Sequence, residues 1–234
     1  MTKISVLHGQ LHQGSTYHIT RLFLDRLTDG QTEISEFFFP KDGPDACIGC
    51  FNCFMKGETY CPHADIVQPI ARAIENSDLV IMESPCYVFG MSGQLKTFLD
   101  HLGYRWMAHR PHPAMFSKVG LCISTAAGMG SGQVTKELEK QLFYWGFARS
   151  YRFGVNVNAS SWEQIPPEKK AKIERKVDRV AARIANSLRH KVHSGLKTKF
   201  VFSLMRLNQK SNTWNPVDKN FWAGQGWLDG ANPW

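Results

Sequence analysis

No run of apolar residues in this 234-residue chain approaches the roughly 20 needed to cross a bilayer. The first residues pass from Met1-Thr2-Lys3 into Ile4-Ser5-Val6-Leu7 without the pattern of a secretory leader. Both absences predict a cytoplasmic protein. No glycine loop is followed by Gly-Lys-Ser/Thr, and Gly-x-Gly-x-x-Gly does not occur, which excludes the P-loop and the dinucleotide fingerprint. No convincing nucleophile–histidine–carboxylate triad and no internal repeat are present. Acidic residues are scarce in the C-terminal part. Residues 150–234 carry 15 Lys and Arg against 6 Asp and Glu, whereas residues 1–149 carry 13 against 14.

A basic half can serve nucleic acid or a membrane surface. Much of the charge, however, lies in Pro166–Arg189, where apolar residues recur between Lys and Arg, as on a helix with a solvated outer face. A nucleic-acid-binding module is the reading from another class, and it leaves the loops described below without a purpose. The length suits one domain with an appendage. Six cysteines in a reducing compartment point to ligands or redox groups rather than disulfides.

Apolar strands alternate with helical patterns. Strands are expected at Lys3–Leu7, Glu33–Phe39, Leu79–Glu83, Val119–Ser124 and Ala148–Val155. Helices are expected at Ser15–Leu27, Asp65–Asn76, Ser92–Leu102, Gln133–Trp145 and Pro166–Arg189. Repeated β-α units imply a five-stranded, doubly wound parallel sheet with helices on both faces and a ligand site at the carboxyl ends of the strands. The loops that leave those ends, 8–14, 40–64, 84–92 and 125–132, are the chemically richest parts of the chain. Beyond Arg189 the pattern stops. Residues 208–234 hold Trp214, Trp222, Trp227 and Trp234 with little periodicity, so this tail is expected to dock on the domain or on a partner subunit.

Three of these loops each offer a contact to a ligand. Strand, Gly9, polar loop, then Gly14-Ser15-Thr16 at a helix start is the geometry that binds a phosphate, and equally that of an ordinary turn with a serine cap. Ser84-Pro85-Cys86-Tyr87 puts a proline and an aromatic at a strand's carboxyl end, where a flat ring can rest on backbone amides or Tyr87 can pack under a loop. The turn from Thr125 to Gly132 offers small residues that let a ligand approach closely. In the fourth loop, Cys47, Cys50, Cys53 and Cys61 form Cys-x2-Cys-x2-Cys-x7-Cys followed by Pro62. Four thiolates on one loop suit an iron–sulfur cluster, a zinc site that His63 could join, or redox and structural thiols without metal. Cys86 and Cys122 read as small buried residues. The stretch Tyr104–His112 adds Arg105, His109 and Arg110, which could meet a cofactor or lie in solvent.

Together these pieces resemble the flavodoxin-like NAD(P)H-dependent FMN reductases, and most closely their iron–sulfur flavoprotein branch. The resemblance rests on G-x4-G-S-T at Gly9–Thr16, C-I-G-C-F-N-C ending at Cys53, S-P-x-Y at Ser84–Tyr87 and S-G-Q-L-K-x-F-L-D at Ser92–Asp100. It covers roughly residues 1–190, leaving 191–234 as an extension. It implies FMN as cofactor and NAD(P)H as reductant. The FMN phosphate would be held by Ser15, Thr16 and the loop of Gly9, Gln10, His12 and Gly14. Pro85, Cys86, Tyr87, Val88, Phe89 and Gly90 would line the isoalloxazine, with Thr125, Ala126 and Gly128 on its other side. Chemistry would be the flavin's, delivered to a quinone, flavin or other small acceptor. Alternatively, a [4Fe–4S] cluster on Cys47, Cys50, Cys53 and Cys61 would serve a ferredoxin-type partner. A homodimer or larger assembly is implied. One departure stands out: where the family commonly has Asp-Arg, this chain has Asp100-His101.

Overall fold

A computed structural model describes residues 1–234. Two strand sequences decide its architecture. LVIME at Leu79–Glu83 (β3) and VGLCISTA at Val119–Ala126 (β4) are buried along their whole length, so each must be covered on both faces. They are joined by β1 (Lys3–His8), β2 (Glu33–Phe38) and β5 (Arg149–Asn156). The sheet runs β2-β1-β3-β4-β5, and every neighbouring pair is parallel. β5, at an edge, alternates exposed and buried residues as a one-sided strand should.

The period of two divides the strands between two cores. Leu7, Val80, Met82 and Cys122 face α3 (Ala64–Asn76), α4 (Gly93–Asp100) and α5 (Ser131–Trp145). Ile4, Val6, Ile81, Leu121 and Ile123 face α1 (Ser15–Leu27) and α6 (Pro167–Arg189). α6 buries Ile173, Val177, Ala181 and Ile184 and turns its Lys and Arg residues outward, as its spacing predicts. No helix is long and apolar enough to cross a membrane.

The structure departs from the sequence-based expectations in three places. A short helix, α2 (Asn52–Met55), sits inside the cysteine loop. β4 runs on through Thr125 and Ala126, which are therefore strand residues and not part of the following turn. The chain after Arg189 is not patternless: it forms α7 (Leu196–Ser211) and α8 (Pro216–Gly224). Phe202, Trp222 and Trp227 from this segment pack with Met107 and Phe116 in a third core of their own.

Candidate functional site

The carboxyl ends of β1, β3 and β4 meet, and three loops are laced together above them. Gly9 donates its N–H to the Glu83 carbonyl at 2.9 Å, and its own carbonyl accepts from Ser92 Oγ at 2.6 Å. A Cβ at Gly9 would sit 2.7 Å from Ser92 Oγ and 2.8 Å from the Glu83 carbonyl, so only glycine fits. Gln10 follows, buried, and accepts from the Tyr87 hydroxyl at 2.7 Å. Leu11, His12 and Gln13 are exposed. Gly14 then caps α1 without any side-chain hydrogen bond. The first-turn N–H groups of α1 thus have no side-chain acceptor, which is the condition for anion binding. Ser15 is half-buried. The Thr16 hydroxyl is committed to Thr125 Oγ1 at 2.7 Å, tying α1 to β4.

The second loop is strained. Cys86 N–H donates to the Thr125 carbonyl at 2.8 Å, continuing the β3–β4 ladder. Tyr87 and Gly90 then exchange two backbone hydrogen bonds at 2.9 and 3.0 Å, closing a hairpin whose tip is Val88 (φ 50°) and Phe89 (φ 61°). Two successive left-handed residues are the province of Asn-Gly, and a β-branched residue there is an outlier. Val88 is 98 % exposed, so no burial compensates. Such a conformation costs about 1–3 kcal/mol at each residue. Val88→Asn is expected to raise unfolding stability by about 1 kcal/mol in denaturant titrations. Gly130 closes the cradle at the third loop. It has φ 104°, and a Cβ there would come within 2.5 Å of Cys86 Sγ.

Beneath the cradle lies a buried histidine with a carboxylate on each ring nitrogen. His8 Nδ1 is 3.0 Å from Glu83 Oε1 and Nε2 is 2.9 Å from Glu36 Oε2. The ring is fully buried and stacks on Phe38 at 4.1 Å. Arg21 completes the group with two hydrogen bonds to Glu36. Burial alone would lower the His8 pKa, but the hydrogen bonds it donates to Glu36 and Glu83 outweigh it and the net direction is up. Glu36 is pulled down, chiefly by His8. Glu83 is pushed up by its complete burial, and its Oε2 has no partner.

The cysteine loop follows β2 and leads into α3. Cys47 and Cys50 are exposed, Cys53 in α2 and Cys61 are half-buried, and none is disulfide-bonded. Burial, then the neighbouring Cys61 and Cys47, push the Cys53 thiol up to about 11. Cys61 is raised by burial first, with Cys50 and Cys47 adding to it. No three His, Cys, Asp or Glu side chains converge closely enough for one shared metal ion. His101, at the family's Arg position, is buried with Nδ1 3.6 Å from Cys61 Sγ and Nε2 2.9 Å from the Asp45 carbonyl. His63 packs against its ring at 5.0 Å.

A family model described as NADPH-dependent FMN reductase matches residues 2–161. The chain belongs to this family. It is an NAD(P)H-dependent oxidoreductase with FMN as cofactor. An iron-sulfur flavoprotein of Archaeoglobus fulgidus is 25% identical over 233 residues, covering 97% of this chain and 100% of that one. Another, from Methanocaldococcus jannaschii, is 30% identical over 138 residues, 58% of this chain and 67% of that one. Among solved structures, an FMN-dependent NADH-azoreductase from Bacillus anthracis, in complex with FMN, superimposes with TM-score 0.58 at 11% identity. It covers 79% of this chain and 100% of that one. A flavoenzyme NAD(P)H:(acceptor) oxidoreductase from Paracoccus denitrificans gives 0.52 at 21%, over 80% and 99%. These two likenesses show the shared flavodoxin-like fold.

In this FMN reductase the loop of Gly9–Thr16, the Pro85–Gly90 hairpin and the Thr125–Gly130 segment come together at one end of the sheet. Pro85 is buried under the hairpin, while Tyr87, Val88 and Phe89 stand at its surface, and Gly128 is open. Cys122 is buried as expected, but Cys86 is only half-buried, with Sγ 3.7 Å from the Met129 carbonyl. Arg105 and Arg110 are buried, not solvated. Arg105 pairs with Glu75 and Arg110 with Asp218. Sequence reasoning missed His8, Glu36, Glu83 and Asp218. For His8 and Glu83 there was a signal: a polar residue closing each of two apolar strands.

Proposed function

We propose that this reductase carries an iron–sulfur cluster on Cys47, Cys50, Cys53 and Cys61 in addition to FMN, and that electrons leave it singly toward a ferredoxin-type protein partner. The observation that supports this most is the set of four free thiols, Cys47, Cys50, Cys53 and Cys61, carried on one loop. The full-length likeness to an iron-sulfur flavoprotein supports it further. Such a protein suits the reducing cytoplasm, where thiols remain available as ligands.

For FMN, the uncommitted amides of residues 10–13 and 15 and the Ser15 hydroxyl would hold the phosphate, with Thr16 fixing α1 against β4. Pro85 to Gly90 line the isoalloxazine, and Thr125, Ala126 and Gly128 close its other side. The cradle fits the group: uncapped helix N–H groups for the phosphate, exposed apolar residues and small residues for a flat ring. When bound, FMN supplies hydride uptake from NAD(P)H and one- or two-electron release. No protein base is needed, so the side chains bind, orient and exclude water. A homodimer is part of this reading. Trp222 and Trp227 are buried within their own chain, so the tail's contribution to an interface falls to Trp214 and the exposed Leu196, Phe200, Leu204 and Leu207 of α7.

The second reading is delivery to a small acceptor, such as a quinone or free flavin, which the half-exposed Tyr87 and Phe89 support as a stacking surface. Steady-state NADPH oxidation separates the two. Turnover with ferredoxin and little with quinone supports the cluster route; rapid quinone reduction that survives loss of all iron supports the small acceptor.

A further inference from the structure

Arg110 is 3 % exposed, and its guanidinium joins two segments far apart in sequence. Nη1 donates to Asp218 Oδ1 on α8, and Nη2 donates to the Cys53 carbonyl. The same fork reaches the Phe54 carbonyl and Glu58 Oε2, each at 3.4 Å. Asp218, 1 % exposed, takes two more donors, His109 Nδ1 at 2.7 Å and Asn215 Nδ2 at 3.0 Å. Asn215 Nδ2 also donates to the Phe54 carbonyl at 3.2 Å.

Cys53 and Phe54 belong to α2, a single turn whose last carbonyls have no helix to continue into. Arg110 and Asn215 supply the missing donors. Only a planar fork can hold a carboxylate on one side and carbonyls on the other, so lysine is no equivalent. α8 has its own anchor: Trp222 is buried in the third core, and its Nε1 donates to the His109 carbonyl at 2.5 Å. The polar contacts are therefore not what holds α8 to the body. They reach across to the cysteine loop.

We propose that Asp218, Asn215 and Arg110 form a latch by which the C-terminal segment fixes the cysteine loop, so that retention of a cluster there depends on α8. Arg110 is its positioning residue. The dependence on iron rests on the cluster reading above; the ordering of the loop does not.

The test uses the full chain, FMN-loaded and reconstituted anaerobically with iron and sulfide, as wild type, Asp218→Ala and Arg110→Lys. Iron release to a ferrous chelator and hydrogen–deuterium exchange of residues 51–61 are followed together. Release is expected to be about tenfold faster in both variants, and exchange at 51–61 about tenfold faster in Asp218→Ala, with residues 79–100 and FMN content unchanged. Arg110→Lys keeps the charge beside Asp218 but loses the span to the carbonyls. It should therefore release iron like Asp218→Ala while unfolding closer to wild type. Exchange and release within about twofold of wild type in both variants overturns the latch, as does opening confined to α8. Should Asp218→Ala not fold, Asn215→Ala takes its place, with about threefold effects expected and unchanged rates counting against the latch. A wild type that takes up no iron defeats the cluster reading, and exchange at 51–61 then decides the latch alone.

Discussion

Cys53→Ser should strip the reconstituted protein of its iron and leave its flavin. Iron per chain is expected to fall from about four to a small fraction of that, since each thiolate of a cubane serves its own iron atom. FMN content should stay within about twofold, because the cradle is built from other loops. No spare thiol replaces Cys53: Cys122 is buried in the sheet and Cys86 lies against the Met129 carbonyl. Cys61 differs, because His101 lies 3.6 Å from its sulfur and His63 packs on His101. Cys61→Ser should therefore retain more iron than Cys53→Ser. Iron and sulfide analysis beside bound-flavin absorbance gives both numbers. Equal iron in wild type and Cys53→Ser would remove the cysteines from the account.

Replacing His8 should cost the fold more than any change at the cradle's surface. His8→Leu takes one partner from a buried charged group and leaves Glu83 fully enclosed, a change worth about 3–5 kcal/mol. The pH dependence carries a signature. The His8 pKa is raised above 6.5, so its contribution is complete below pH 6.5 and is lost as pH rises through the folded value. Glu83, raised by burial, also prefers the protonated form and loses on the alkaline side. The Glu36 pKa is lowered below 4.5, so its contribution is complete above pH 4.5 and is lost as pH falls. Wild-type stability should peak between pH 4.5 and 6.5 and decline above it. Urea unfolding at pH 5.5 and 8.5 should show His8→Leu much less stable at the lower pH, with a smaller gap at the higher. A gap of the same size at both would mean that the histidine acts through packing alone.

The sheet was legible because its strands are unusually plain. Leu79–Met82 is apolar, closed by Glu83 and bounded by Ser-Asp before and Ser-Pro after, and the buried spacing of α6 shows through its charges. The loops that leave the strand ends were identifiable for the same reason. α7 was not legible because its apolar residues serve two faces: Phe202 turns into the third core while Leu196, Phe200, Leu204 and Leu207 point outward, so no single stripe emerges. α8 was missed as well: Asn215 caps it and Pro216 stands in its first turn, but it is too short to show a period. The placement of Arg105 and Arg110 was beyond the sequence. A loop with two arginines reads as solvated until the carboxylates that bury them are known, and Asp218 lies 108 residues from Arg110. The close of β4 was misread because Thr125 and Ala126 are small and precede glycines, although they pair with Val155 and Asn156 in full register.

One chain is expected to hold both FMN and an iron–sulfur cluster. The most direct test is the visible absorption spectrum of protein purified without oxygen, with iron, sulfide and FMN analysed on the same sample, before and after NADPH. Two flavin bands on a broad brown shoulder, about four irons per flavin, and bleaching of both by NADPH are the expected result. Flavin bands that bleach without any shoulder, in a protein that also refuses iron and sulfide, would contradict it.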